Sequence, residues 1–242
     1  MIRLSSQTLR ASAAAIIAAL ALTGCGEEKT AASPEKTALI PVGVVQLVEH
    51  EALDATVKGF IDELAARGFK DGEKIRIDRQ NAQGDQTTLA NIGSRFVSAK
   101  SELIFASSTP ALQAMARATK SIPIVATAVT SFEAARVVKS DKAPGGNVTG
   151  VSDLGPIAAQ FDLLMKLVPN AKTIGTIYNS SEINSAYQVD ILKKAAAERG
   201  VEVLEATVSS VNDIQQAVAS LKDKVEGLYL PTDTVIASAV PD

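Results

Sequence analysis

From Ala38 onward the chain alternates short apolar runs with longer stretches of helical period. The run ALIPVGVVQLV (38–48) predicts a buried strand. EALDATVKGFIDELAARGF (51–69) predicts an amphipathic helix with Leu53, Val57, Phe60, Ile61 and Leu64 on one face and Gly68 near its end. KIRIDRQNA reads as a strand before the helix DQTTLANIGSRFVSAK, which Asp85 is suited to cap. ELIFASS precedes the helix TPALQAMARATK, with Thr109 as cap and Pro110 in its first turn, and IPIVATAV (122–129) precedes a short helical piece, SFEAARVV. Strands that each lead into a helix pair in parallel through right-handed crossovers, so the expectation is an α/β fold with a doubly wound parallel sheet.

The pattern breaks at KSDKAPGGNVTGVSDLGP (139–156), a stretch rich in Gly, Pro, Asp and Asn that reads as a crossing between domains or a functional loop. We place the boundary near Gly150, giving an N-terminal lobe over 38–150 and a C-terminal lobe over 151–242. The second stretch repeats the logic of the first: helix IAAQFDLLMKLV, strand TIGTIYN, helix NSAYQVDILKKAAAERG, strand VEVLEATV, helix VNDIQQAVASL, strand GLYLPTD and the start of a helix, TVIASAV. Only three strands fall in this lobe, and the sequence ends at Pro241-Asp242, about two turns into that last helix. The second lobe is therefore expected to be incomplete and the chain a fragment of a longer one.

Residues 1–24 read as an export signal. Arg3 and Arg10 precede an uncharged apolar segment, ASAAAIIAALAL, too short to span a bilayer but suited to the core of a signal peptide. The next residues, Leu22-Thr23-Gly24-Cys25, resemble the lipobox of bacterial lipoproteins. That resemblance implies cleavage before Cys25 and acylation of its thiol and new amino terminus, more than one chain being needed for firm anchoring. Residues 25–37, charged, small and Pro-containing, read as a flexible tether.

Composition narrows the classes. Hydrophobic residues make up 46% of the chain while aromatics are 4% and Trp is absent, so the core must be built from Val, Ile, Leu and Ala, as in parallel α/β sheets. The net charge of -3 is spread over both signs without a basic stripe, which argues against nucleic acid as a partner. A lone cysteine closes no internal disulfide, and with a single histidine there is no ligand cluster for a structural metal. No glycine-rich turn follows the first strand, so no dinucleotide or other cofactor is expected.

In a parallel sheet, ligands sit beyond the carboxyl ends of the strands. Those ends are dominated by hydroxyls, amides and carboxylates: VEHEALD, NAQGDQ, SSTPALQ, TAVTSF, YNSSEINS and LPTDT. Ser108 and Thr109 at a helix start combine hydroxyls with free backbone N–H groups, a cradle for a small carboxylate, and Glu49, Glu182 or Asp233 could face an ammonium. Thr109 and Asp233 are equally suited to capping helices. An exported hydrolase with a serine nucleophile and His50 as base stays open, although no G-x-S-x-G elbow accompanies it. A folded fragment without function is a third reading.

The segments VVQLVEHEALDATVKGFIDEL, NAQGDQTT, TPALQA, TAVT, PGGNVTGVSDL, AKTIGTIYNSSEINSAYQV, EATVSSVNDIQQAV and LYLPTDT, in this order, are similar to the ABC-transporter substrate-binding lipoproteins that include tryptophan- and tyrosine-binding members. The resemblance implies a type I periplasmic-binding-protein fold of two lobes, and no enzymatic activity. It further implies a monomer, lipid-anchored outside the cytoplasmic membrane, that captures a small solute and delivers it to an ABC permease. Carried over position by position, the cleft would draw on Glu49 and His50, Ser108 and Thr109, Thr127, Val129 and Thr130, Asn179, Ser181, Glu182, Asn184 and Ser185, and Thr232 with Asp233. Two positions depart from the family pattern: Glu51 stands where Pro is common, and Ser131-Phe132 where Asp-Pro is usual. An amino acid is favoured over a sugar, because the strand ends offer few rings for stacking beyond Phe132, Tyr178 and Tyr187.

Overall fold

The computed structural model describes residues 38–239. Strand β1 (Ile40–Gln46) leads into helix α1 (Glu51–Ala66), β2 (Ile75–Asn81) into α2 (Gln86–Ser98), β3 (Leu103–Ser107) into α3 (Thr109–Ala118), and β4 (Ile124–Val129) is followed by β5 (Val148–Ser152). All five strands are parallel in the order β2-β1-β3-β4-β5. One face packs Val45, Ile104 and Ala106 under Phe96, Leu112 and Met115 of α2 and α3; the other packs Val42, Val44 and Phe105 under Val57 of α1. Phe60 stacks on Phe105 with ring centroids 4.1 Å apart. Burial on both faces explains why β1 and β3 read as unbroken apolar runs rather than alternating ones. At Gly43 helix α2 approaches so closely that an added Cβ would stand 2.7 Å from the Phe96 ring.

The second sheet has the order β7-β6-β8, built from β6 (Thr173–Asn179), β7 (Glu202–Val208) and β8 (Gly227–Tyr229), again all parallel. Helices α4 (Ile157–Leu167) and α5 (Ile183–Ala197) bury Phe161 and Leu192 against Ile174 on one face. Helices α6 (Ile214–Leu221) and α7 (Thr234–Ala237) bury Leu221 and Ile236 against Ile177 on the other. Among the described residues no helix is long and apolar enough to cross a membrane. The signal segment, Cys25 and the tether lie outside the described residues.

Three local expectations are corrected. The stretch 139–156 contains an edge strand, β5, so the first sheet runs through Ser152, past Gly150. Only Val148 of β5 is buried, which is why no hydrophobic pattern marks it. SFEAARVV forms successive turns, not a helix: Ala135 N–H donates to Ser131 O at 3.0 Å and Arg136 N–H to Glu133 O at 2.9 Å, and Arg136 adopts φ +59°, which a right-handed helix cannot continue through. The strand read over GLYLPTD is confined to Gly227–Tyr229.

In both sheets the chain steps to one side of the first strand and then crosses back to the other. Loops diverge where the direction reverses, between β1 and β3 and between β6 and β8, and each reversal opens a crevice at the carboxyl ends of the strands.

Candidate functional site

A cavity of about 350 Å³ joins these two crevices. From the first sheet it is lined by Val48, His50, Ala52, Leu53 and Thr56 after β1, by Ser108, Thr109 and Pro110 after β3, and by Thr127, Ala128 and Thr130 around β4. Asp153 borders it from the segment that carries the chain to α4, and the second sheet contributes Glu182 and Asn184 after β6 and Thr232, Asp233, Thr234 and Ala237 after β8.

Each wall is fixed from behind. Buried Gln46 donates from Nε2 to Asp54 Oδ1 at 2.8 Å, and Arg79 donates to the same oxygen at 3.0 Å, so β1, β2 and the first turn of α1 are tied together. Thr56 Oγ1 and Ser107 Oγ share a hydrogen bond of 2.8 Å. His50 caps α1, its Nδ1 accepting from Ala52 N–H at 3.2 Å, which leaves the neutral ring's proton on Nε2. Ser108 caps α3 with φ +105°, its Oγ accepting from Ala111 N–H at 3.4 Å, and Ala128 has φ +54° at the register shift between β4 and β5. Left-handed backbone at two non-glycine residues costs of order 1–3 kcal/mol each and is typical of ligand clamps.

On the second-sheet side Asp233 is fully occupied. Its Oδ1 accepts from Val235 and Ile236 N–H at 3.0 Å each, and its Oδ2 from Asn179 N–H and the Ser185 hydroxyl at 2.7 Å each. Asp233 therefore caps α7 and clamps β8 to β6. Glu182, buried beside it, accepts through Oε2 from Asn184 Nδ2 and Thr234 N–H, both at 3.2 Å. Burial pushes the Glu182 carboxyl up, and the charge of Asp233 pushes it further in the same direction. Desolvation also raises the Asp153 carboxyl.

Three polar atoms of residues that line the cavity stand out: Thr109 Oγ1 from the first sheet and Asn184 Oδ1 and Thr234 Oγ1 from the second are buried without a hydrogen-bond partner. Orphaned buried groups cost about 1–3 kcal/mol each, and a ligand that satisfies them recovers it. The rest of the lining sets aliphatic Val48, Ala52, Leu53, Pro110 and Ala237 beside polar residues such as His50, Thr127, Thr130, Asp153 and Thr232, and among the described residues no Lys, Arg, Phe, Tyr or Trp lines it. The arrangement suits a small polar head that carries both a donor and an acceptor, attached to a bulky apolar group.

Of the residues expected from sequence, His50, Ser108, Thr109, Thr127, Thr130, Glu182, Asn184, Thr232 and Asp233 line this cavity. Glu49 is exposed to one side of it and Val129 is fully buried in the core. The Asn179 side chain is turned onto Ser181, accepting from its N–H at 3.0 Å and its hydroxyl at 2.7 Å, and Ser185 is spent on Asp233. Phe132 packs in the core and Tyr178 donates to Glu205 at 2.7 Å, so neither ring reaches the cavity. Asp153 was not anticipated, because it follows the strand that carried no hydrophobic signal. Among the described residues no hydrogen bond joins His50 to a serine: Ser107 is held by Thr56 and Ser108 by Ala111. The dyad a serine hydrolase requires is not assembled.

A family model described as ABC transporter substrate binding protein matches residues 41–242. A tyrosine-binding protein of Clostridioides difficile is 45% identical over 238 residues, covering 94% of this chain and 68% of that protein. Among solved structures, an ABC domain in complex with L-Trp from Streptococcus pneumoniae is 41% identical with a TM-score of 0.79, over 84% of this chain and 68% of that one. A ligand-free, open substrate-binding protein with adhesive properties from Clostridium difficile is 49% identical, with a TM-score of 0.60 over 83% of this chain and 68% of that one. The more identical of these two relatives is the poorer match in overall shape.

Proposed function

This chain belongs to the ABC transporter substrate-binding proteins, a family of solute binders rather than enzymes with the type I periplasmic-binding-protein fold, and from that premise we propose that it captures an aromatic amino acid in the cavity between its two lobes. The observation that carries this reading is that orphaned polar atoms of both sheets, Thr109 Oγ1 on one side and Asn184 Oδ1 and Thr234 Oγ1 on the other, meet in a cavity that also presents the aliphatic Val48, Leu53 and Pro110. The ligand's carboxylate is received by the Thr109 hydroxyl and the start of α3, where free N–H groups and the helix dipole favour negative charge. Its ammonium is received by Asn184 Oδ1 and the Glu182 carboxylate, which the incoming charge brings fully into its ionised form. The ring lies along Val48, Leu53 and Pro110. A relative named for tyrosine and another solved with L-Trp support the aromatic choice.

Because the zwitterion bridges both lobes, its binding favours the closed arrangement, and closure is the signal an ABC permease would read before accepting the solute. In this reading the protein acts outside the cytoplasmic membrane as a monomer, held there by lipid on Cys25 after removal of residues 1–24. Titration calorimetry of the chain against L-Trp, tryptamine and indole-3-propionate tests the head-group assignment. L-Trp is expected to bind at least tenfold more tightly than either analogue, each of which leaves one orphaned group unsatisfied. Equal affinity for all three would exclude it.

A further inference from the structure

We propose that a second groove, lined by Arg117 of α3, Arg136 of the turns after β4 and Ile183 at the start of α5, is a binding site for a small tetrahedral oxyanion such as phosphate. The groove has a volume of about 420 Å³, and Pro110 borders both it and the solute cavity. The proposal does not rest on the amino-acid reading, since neither arginine lines that cavity.

Both guanidinium groups stand without a counter-ion. Arg67, Arg79, Arg95 and Arg199 each hold a carboxylate, whereas none of the seven ion pairs among the described residues involves Arg117 or Arg136. The acids that neighbour the groove in sequence are spent on other partners. Asp141 N–H donates to Glu133 Oε1 at 2.9 Å and Glu133 N–H to Asp141 Oδ1 at 3.2 Å, so these two carboxylates lock each other's backbone. Asp85, next to the groove residue Gln86, caps α2 by accepting from Thr88 N–H. Glu182, between Ser181 and Ile183, accepts from Asn184 and Thr234. Among the described residues no carboxylate lines the groove, so a chain of net charge -3 presents there a concavity with two uncompensated positive charges.

The backbone that carries these charges is fixed. Arg117 lies one turn after Gln113 on α3, and Gln113 Nε2 donates to Ala135 O at 3.1 Å, which ties the helix to the residue before Arg136. Ala135 is buried and donates its own N–H to Ser131 O, so the turn is anchored in the core. Arg136 has φ +59°, left-handed backbone that glycine adopts freely and arginine only at a cost. Strain of this kind is typical of ligand-binding positions. From the other sheet, α5 contributes the start of a 15-residue helix that no side chain caps, and its dipole adds to the positive potential of the groove. A guanidinium offers its N–H groups in a fork that matches the oxygens of a phosphate, and such charge-assisted contacts are about twice as strong as neutral ones.

The experiment titrates the full chain with inorganic phosphate at constant ionic strength, followed by phosphorus NMR. One phosphate per chain is expected to bind saturably, and about tenfold more weakly in Arg117→Gln and in Arg136→Gly. Glycine suits the backbone at 136, so the urea midpoint of Arg136→Gly is expected to hold or rise, which separates loss of the site from loss of the fold. Arg76→Gln removes another exposed arginine outside the groove and is expected to leave binding unchanged. Absence of saturable binding, an equal loss in Arg76→Gln, undiminished binding in Arg136→Gly, or displacement of the phosphate by L-Trp would each overturn the proposal.

Discussion

Replacing Asp233 by Ala separates the two roles its position suggested, ligand group and helix cap. The carboxylate accepts four hydrogen bonds, from Val235, Ile236 and Asn179 N–H and from the Ser185 hydroxyl, and the residue is 4% exposed. Loss of the cap at α7 costs about 1 kcal/mol. The Asn179 and Ser185 donors are buried and would be left without an acceptor at about 1–3 kcal/mol apiece. Against this, removal of the Asp233 charge lets Glu182 ionise more easily and returns part of the loss. The expected net destabilisation is about 3–5 kcal/mol, which lowers the melting temperature of a chain this size by about 10 °C. Urea denaturation followed by far-ultraviolet circular dichroism measures it, with Asp233→Asn, which keeps one acceptor oxygen, falling in between. A loss below about 1 kcal/mol, or a loss of ligand affinity at unchanged stability, would refute the structural assignment.

The complementary substitution is Thr109→Val, which removes a hydroxyl that no protein group uses: stability in urea is expected to hold or rise slightly while L-Trp affinity falls about tenfold, and a stability loss without an affinity change contradicts the site. Gly43→Ala drives a Cβ to 2.7 Å from the ring of Phe96, which is fully buried and cannot yield, so a loss of about 2–3 kcal/mol is expected and Phe96→Leu should recover part of it; an unchanged urea midpoint would be incompatible with the packing. Tyr178 is pushed up to about 12 by burial, reinforced by its hydrogen bond to Glu205. The folded state therefore keeps this proton beyond the ~10 of an unfolded tyrosine, and the contribution to stability, intact below that pH, is lost as pH rises toward 12. Phenolate absorbance should show a late step that Tyr178→Phe abolishes, and identical titrations of both proteins would reject it.

What the sequence made legible follows burial. Strands β1, β3 and β6 are central and covered on both faces, so their apolar runs announce them, and the order of strand and helix then dictates where a crevice must open. Strand β5 lies at an edge, with Val151 68% exposed, and offers no such run; the chemistry attached to it, Asp153, was hidden for the same reason. Thr109 and Asp233 looked alike in sequence, each a short polar residue at a helix start. Only packing divides them, since Asp233 finds four donors while the Thr109 hydroxyl finds none. Glu49 sits next to the capping His50 but on the solvent side, a difference of direction that residue type alone does not encode.

Calorimetric titration of the chain with L-Trp and L-Tyr tests the central claim most directly. One ligand per chain, bound with a negative heat-capacity change from burial of the ring against Val48, Leu53 and Pro110, is the predicted result, with the binding heat strongly reduced in Thr109→Val and in Asn184→Ala. No heat with either amino acid from a folded chain, or binding unaffected by both substitutions, would contradict the cavity between the sheets as the ligand site.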